Sequence, residues 1–186
     1  MLSKCGDSTK IVYPLFQEGD GGLIPTSPLQ LFVGGISVGL AIELNELWHS
    51  RLPTIKNIGI KKCFGAEYGN RWYAAALWSA PISPTYVRKP YLELRRFAIC
   101  PDAPKNTASR MMSIMVRSLK KEFSRVEKLI SYQDTDVHTG TIYKASGWTA
   151  RGHTKGGENT WSRPNQNRIR TSDQAAGDKI RWELDV

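Results

Sequence analysis

The feature that most constrains the fold is the stretch from residue 91 to residue 148. Its pattern predicts a strand over residues 92–99, a turn, a helix over 104–123, a strand over 129–132 and a short helix over 139–146. Two strands that are joined by a crossover helix lie parallel in one sheet. The turn before the long helix lies where such folds bind phosphate, because a helix N-terminus offers free N–H groups.

The long helix has one apolar face and one basic face. Apolar residues recur every three or four positions, the period of a helix that packs on a core. They are Ala108, Met112, Met115, Leu119 and Phe123, and the other face carries Arg110, Arg117, Lys120 and Lys121. On the preceding strand, alternation is expected to place Leu92, Leu94 and Ala98 on one face and Phe97 and Ile99 on the other.

The segments on both sides of this stretch predict further elements. A short strand over residues 29–33 is followed by a helix that Ser37 caps and that reaches about His49. Residues 62–79 predict a hairpin that turns at Gly69 and Asn70.

The C-terminal part predicts a hairpin between residues 148–153 and 158–162, and then a late strand over residues 179–186. We therefore predict an α+β fold, a central mixed sheet flanked by helices with an added C-terminal strand. It forms one domain over residues 29–186, after a lead-in segment over residues 1–28.

Length and composition are those of a soluble globular protein, with 186 residues of which 40% are hydrophobic. No apolar run approaches the roughly 18 residues of a membrane span, and the N-terminus lacks the apolar core of a secretory signal. We expect a cytoplasmic protein without membrane contact. Cys5, Cys63 and Cys100 are too scattered for a disulfide framework, and Cys100, beside the central turn, is a candidate thiol nucleophile.

The formal net charge of +9 is concentrated in one part of the chain. Residues 51–130 contain 16 basic and 5 acidic residues, a balance of +11. A concentrated basic surface suits a polyanion such as nucleic acid. The alternative is a basic solvated surface without a specific partner.

The order of elements resembles the acetyltransferase-like (GNAT) fold, in which a long strand, a phosphate-type turn and a helix precede a second strand. Tyr143, ahead of Gly147 and Trp148, is similar to that family's Y-x-x-x-G-F element. There the tyrosine serves as an acid toward the departing thiolate of CoA. The resemblance implies a small-molecule donor, acetyl-CoA or another acyl-type donor. The family's pyrophosphate loop contains glycine, whereas residues 105–110 contain none.

A more specific resemblance covers most of the chain. The stretches LELRRFAICPDAPKNTASR and LISYQDTDVHTGTIYKASGW, with TWSRP and KIRWEL near the C-terminus, are similar to the Mom family of bacteriophage DNA-modification proteins. These GNAT-like proteins convert the N6 amine of adenine in duplex DNA to a carbamoylmethyl derivative, which shields phage DNA from restriction. The resemblance implies the same activity here, with double-stranded DNA as the partner.

The resemblance also implies roles for individual residues. Arg96 and Ser109 are expected at the donor site, and His49, Asp134 and Tyr143 around the target base. Lys105, Asn106 and Arg110 add donors at the helix N-terminus, and the remaining candidates for binding substrate or DNA are Trp48, Arg51, Tyr132 and His138. An iron ion is also implied, for which His49, Asp134 and His138 are chemically reasonable ligands, although no local spacing demands a metal.

The chemistry of the base makes Asp134 the central candidate. The exocyclic amine of adenine is a poor nucleophile because its lone pair is delocalised, and a carboxylate that accepts its proton would raise its reactivity. Asp136 and His138 could exchange roles with Asp134, and loop capping is the structural alternative for Asp134. A base inside a duplex has to be flipped out before such chemistry, and aromatic side chains could stack on it.

Two other functions fit the same sequence. One is a conventional N-acetyltransferase that acts on a small amine or a protein. The other is a basic DNA-binding protein without catalysis on an acyltransferase scaffold. The oligomeric state stays open, a dimer included.

Overall fold

The computed structural model describes residues 10–12, 24–49, 51–55, 59–155 and 177–186. Over these residues the chain forms eight strands and three α-helices. In chain order they are β1 Lys10–Val12, β2 Phe32–Gly35, α1 Val38–Trp48, β3 Ile60–Tyr68, β4 Arg71–Ser79, β5 Tyr91–Ile99, α2 Thr107–Glu122, β6 Lys128–Asp134, α3 Thr141–Ala145, β7 Thr149–Thr154 and β8 Lys179–Asp185. The prediction of an α+β fold is confirmed.

All eight strands belong to one sheet with the order β1-β2-β3-β4-β5-β6-β8-β7. Of the pairs in this order, β5 and β6 are parallel and the rest are antiparallel. The parallel pair is the one that α2 connects, as the crossover pattern predicts. The sheet is therefore mixed, and its parallel pair lies near the middle.

The parallel strands β5 and β6 separate halfway along their length. They pair from Tyr91 and Lys128 as far as Leu94 and Ser131, and beyond that point β5 keeps only its partner β4. On the other side, β6 stays paired with β8 to its end at Asp134. The sheet consequently opens into a split at the carboxyl ends of β5 and β6.

A β-bulge in β5 coincides with this separation. Leu94 lies opposite Trp78 and Arg96 lies opposite Leu77, so Arg95 is the extra residue on the bulged strand. A bulge bends its strand and interrupts the regular ladder. It accounts for the point at which β5 turns away from β6.

The bulge also overturns the predicted faces of β5. Leu94 packs in the core cluster that contains the α2 methionines, and Phe97 and Ile99 pack against that same cluster. Ala98 lies opposite Ala75, which packs with Leu44 of α1 on the other face of the sheet. Strict alternation was wrong here because the extra residue shifts the side-chain phase beyond Arg95.

The core is built on both faces of the sheet. The larger cluster lies under α2, and the stripe predicted for this helix is confirmed for Met112, Met115 and Leu119, which are buried. Met111 and Ile114 are buried as well, so the apolar face is wider than predicted. Ala108 and Phe123, at the margins of the stripe, are half-buried.

The N-terminal part differs from the prediction in two details. Ser37 caps α1 through a hydrogen bond from the Leu40 N–H to its hydroxyl, as predicted. The first strand expected over residues 29–33 is instead a 3-10 turn at Pro28–Gln30 followed by β2. The predicted lead-in segment contains β1, which pairs with β2.

The C-terminal strand lies in an unexpected place. β8 is inserted between β6 and β7, so β7 pairs with β8. The hairpin partner predicted over residues 158–162 lies outside the described residues. Among the residues described, no helix has the length and apolar character needed to cross a membrane.

Candidate active site

The split between β5 and β6 is closed on one side by the chain that leaves α1. His49 caps the C-terminus of α1, and its own N–H donates to the Asn45 carbonyl at 2.8 Å. The buried Asn45 side chain donates to the carbonyls of Leu52 and Pro53, at 3.2 and 2.6 Å. These bonds fix the segment that carries His49 and Arg51 against the helix.

His49 is held as a neutral imidazole. Burial lowers its pKa to about 4, with further lowering by the nearby charges of Arg96 and His138. Its Nδ1 accepts a hydrogen bond from the Leu52 N–H at 3.2 Å, so the proton of the neutral ring is on Nε2. The side chain can therefore donate a hydrogen bond from Nε2, and it is a weak base.

The lowered pKa of His49 predicts a loss of stability in mild acid. In the unfolded chain the ring binds a proton near pH 6.5, and in the folded protein only near pH 4. The folded state binds fewer protons in this window, so stability rises with pH there. The difference of one bound proton changes the free energy of unfolding by at most about 1.4 kcal/mol per pH unit. Because the ring is partly exposed, the actual change is smaller.

Urea unfolding of the wild type and of His49→Gln, near pH 7 and near pH 5, measures this loss. The wild type should lose more free energy of unfolding than the variant as the pH falls. Equal losses would show that His49 titrates normally in the folded protein.

Asp134 and Arg51 meet at the mouth of the split. Arg51 Nη2 lies 3.1 Å from Asp134 Oδ2 and 3.8 Å from Asp136 Oδ2. The Asp134 side chain is 15% exposed, against 42% for Arg51 and 55% for Asp136. Asp134 Oδ1 accepts the Asp136 N–H at 3.0 Å. Asp134 is thus the less exposed of the two carboxylates, and Arg51 is the cation beside it.

The loop after Asp134 is held by the C-terminal strand. The N–H and the hydroxyl of Thr135 both donate to the Asp178 carbonyl at 3.0 Å. The buried amide of Gln133 accepts from Trp182 Nε1 at 2.7 Å and donates to the His138 carbonyl. The position of His138, and with it the shape of the site, therefore depends on β8.

Arg96 lies on the α1 side of the split. Its Nε donates to the Leu52 carbonyl at 3.2 Å and its Nη1 to the Arg95 carbonyl at 2.8 Å. Because it also lowers the pKa of His49, Arg96 belongs to the same cluster as His49, Arg51 and Asp134. The donor role expected for Arg96 stays a prediction.

Tyr143 is buried beneath the point where the strands separate. Its Oη lies 2.8 Å from Ser131 Oγ, and Ser131 is the last residue of β6 that pairs with β5. The ring stacks on Trp182 with centroids 5.2 Å apart and meets Trp148 edge-on at 5.7 Å. Burial raises the pKa of Tyr143, so the phenol keeps its proton.

The N-terminus of α2 presents the four residues expected to bind the donor. Lys105 and Asn106 are exposed, and Ser109 and Arg110 are half-buried. Asn106 is the residue before α2, and its backbone is in the left-handed region, with φ 66°. Its side chain makes no capping hydrogen bond to the helix. Nε and Nη2 of Arg110 are buried without a hydrogen-bond partner among the described residues, and burial lowers the pKa of Arg110.

A cleft of about 260 Å³ lies at the end of β5. It is lined by Trp48, Asn70, Arg71, Trp72 and Cys100. Trp48 is the last residue of α1 and directly precedes His49, and Arg71 is paired with Asp102. The sequence alone did not identify Asn70 and Arg71 as site residues, because the pattern of a hairpin turn does not indicate which cleft the turn will line.

Tyr132 lies on the same face of β6 as Asp134, two residues before it. Burial raises its pKa to about 12, and the carboxylate of Glu93 adds to this shift. Arg181 and Tyr86 are further neighbours that act on its pKa. The predicted role of Tyr132 in binding the substrate stays a prediction.

The cluster does not fit a bound iron ion. Among the described residues, no three His, Cys, Asp or Glu side chains are arranged to hold a metal. Asp134 is paired with Arg51, and Arg96 lies beside His49. Guanidinium groups beside two of the three candidate ligands, His49 and Asp134, would repel a dication.

Comparison with solved structures identifies the fold as that of the GNAT acetyltransferases. An acetyltransferase from Bacillus subtilis in complex with CoA gives a TM-score of 0.57 at 14% identity, over 84% of this chain and 98% of that chain. A GNAT family acetyltransferase from Elizabethkingia anophelis with acetyl-CoA bound also gives 0.57 at 14%, over 84% and 99%. The ribosomal-protein-S5-alanine acetyltransferase from Vibrio fischeri gives 0.58 at 10%, over 84% and 93%.

The sequence was also compared with models of protein families. The model of the Mom protein family matches residues 61–181. A search of curated proteins found no match.

Proposed function

Because the chain belongs to the Mom protein family, we propose that it is a transferase that converts the N6 amine of adenine in duplex DNA to a carbamoylmethyl derivative. The observation that carries the proposal is the overlap of the family match with the site. Residues 61–181 include the split between β5 and β6 and the half-buried carboxylate of Asp134 at its mouth.

In the proposed reaction the adenine N6 attacks the methylene carbon of a donor that carries the carbamoylmethyl group. The new N6–C bond forms while the bond between that carbon and its leaving group breaks, and the leaving group takes the electron pair. The N6 proton passes to Asp134, which acts as general base. His49 is neutral and carries its proton on Nε2, so its proposed part is to donate a hydrogen bond that orients the base.

The split and the N-terminus of α2 are the proposed place of the donor. The Bacillus subtilis and Elizabethkingia anophelis structures hold CoA and acetyl-CoA in this fold, which supports a donor of the CoA type. Because attack on a thioester carbonyl would give an N6-acyl amide, the donor of a carbamoylmethyl group has to carry its leaving group on the methylene carbon. A phosphate oxygen would satisfy the buried donors of Arg110. Tyr143, which keeps its proton, is the proposed acid for the leaving group.

The target base is proposed to leave the duplex and enter the cleft beside His49. Extrusion of a base is required because its N6 is otherwise paired within the helix. Trp48 and Trp72 give this cleft aromatic walls, and a flipped base is read by stacking and by hydrogen bonds to its edge. The basic balance of +11 over residues 51–130 supports binding to the phosphates.

Restriction digestion tests the proposal. Plasmid DNA is prepared from cells that express the protein and from cells that carry the empty vector. It is cut with one endonuclease whose site contains adenine and with one whose site contains only guanine and cytosine. The proposal predicts resistance to the first enzyme alone. Equal cutting of both plasmids by both enzymes, with soluble protein present, would reject modification of adenine and would favour a conventional acetyltransferase.

A further inference from the structure

Arg51 lies between the carboxylate of Asp134 and the solvent, from which DNA would approach. Its guanidinium is 42% exposed, whereas the carboxylate that it contacts, Asp134, is 15% exposed. Oδ2 of Asp134 is buried, and among the described residues no donor makes a hydrogen bond to it. Arg51 Nη2, at 3.1 Å, is the charge that compensates this oxygen.

The two oxygens of Asp134 have different surroundings. Oδ1 accepts the Asp136 N–H within the loop itself. Oδ2 faces Arg51, and Asp136 Oδ2 lies 3.8 Å from the same guanidinium nitrogen. Oδ2 is therefore the oxygen left for a substrate proton, and in the free protein Arg51 covers it.

A DNA phosphate offers Arg51 an equivalent partner. Guanidinium groups bind phosphate through two parallel hydrogen bonds, as they bind carboxylates. The guanidinium is partly exposed, and a phosphate gives it an anionic partner of equal or greater charge, so Arg51 keeps an ion pair when it exchanges one anion for the other. A substrate without phosphate cannot make this exchange.

Resting on the proposed function, we propose that Arg51 is a specificity-determining residue that restricts the reaction to DNA. In the free protein it neutralises Asp134. A phosphate that flanks the target nucleotide draws the guanidinium away, and Oδ2 of Asp134 is then exposed to the N6 proton. Free deoxyadenosine leaves Arg51 in place and is not modified.

The test compares two substrates in clarified lysates of expressing cells, because the lysate supplies the donor. One substrate is a duplex oligonucleotide and the other is deoxyadenosine, and the modified adenine in each is measured by mass spectrometry. The wild type should modify the duplex alone. Arg51→Ala should lower the ratio of duplex product to nucleoside product at least ten-fold, through weaker use of the duplex and a gain with the nucleoside.

Two variants serve as controls. Arg51→Lys keeps the charge and should keep the preference for the duplex. Arg151→Ala removes an exposed arginine outside both the cluster and the basic segment 51–130 and should leave the ratio unchanged. The inference is overturned if Arg51→Ala keeps the wild-type ratio, or if it weakens use of the duplex without any gain on deoxyadenosine. Absence of product from either substrate in both Arg51→Ala and Arg51→Lys would indicate a structural role and would also overturn it.

Failure of the proposed function has a different signature. A wild-type lysate that modifies neither substrate would reject that function, and this inference with it. Wild-type activity on the duplex and on deoxyadenosine alike would reject this inference alone.

Discussion

Replacement of Asp134 by asparagine is expected to lower the amount of modified adenine in cellular DNA by about 100-fold or more, the contribution of a positioned general base. Asparagine keeps the size of the side chain and cannot take up a proton. It also removes the charge that faces Arg51 at 3.1 Å. Nucleoside analysis of plasmid DNA from cells with equal amounts of soluble protein measures the effect.

Asp136→Asn is the matched control for this change. Asp136 lies in the same loop and is also near Arg51, at 3.8 Å, but its side chain is 55% exposed. We expect this variant to keep most of the modification. An Asp134→Asn protein that modifies DNA as well as the wild type does, or an equal loss in Asp136→Asn, would contradict the assignment of the base.

The second large effect is on stability and concerns Gly140. An added Cβ would lie 2.5 Å from Gln133 Oε1 and 2.7 Å from Trp182 Cζ2, and the residue has a φ of +74°. Strain in the left-handed region and overpacking each cost about 1–3 kcal/mol. Gly140→Ala should therefore lower the free energy of unfolding by about 2–6 kcal/mol, and it should disturb the bond between Trp182 and Gln133.

Gly147→Ala separates the two causes. Gly147 has nearly the same φ, +76°, but an added Cβ would meet nothing within 4 Å. Only the backbone strain remains, which costs about 1–3 kcal/mol, so the loss should be smaller than in Gly140→Ala. Urea unfolding of both variants checks the difference. Equal losses in the two variants would show that the contact of Gly140 with Gln133 and Trp182 is unimportant.

The regular elements were predictable because their signals are local. The capping serine of α1, the turn of the β3–β4 hairpin and the apolar stripe of α2 all depend on residues within a few positions of each other. The bulge at Arg95 was not predictable, because it exists only in the pairing of β5 with β4. One extra residue in that pairing moved Ala98 to the opposite face from Leu94.

The site could be predicted in part. The resemblance to the Mom family singled out His49, Arg96 and Asp134. The structure places Arg96 beside His49, and it places Asp134 beside Arg51 of the same segment. The sequence did not predict that the C-terminal strand holds the loop after Asp134. Alternation in residues 179–186 predicts a strand but not its neighbours, so the insertion of β8 between β6 and β7 and the bond from Trp182 to Gln133 could not be foreseen.

The central claim is that this site adds a group to adenine in DNA, and accurate-mass analysis of nucleosides tests it most directly. DNA from cells that express the wild type should contain a deoxyadenosine in which one N6 hydrogen is replaced by a carbamoylmethyl group, with the added mass on the base fragment. Simple acetylation would give a product lighter by one NH unit. Deoxyadenosine of unchanged mass, from cells with abundant soluble protein, would contradict the account.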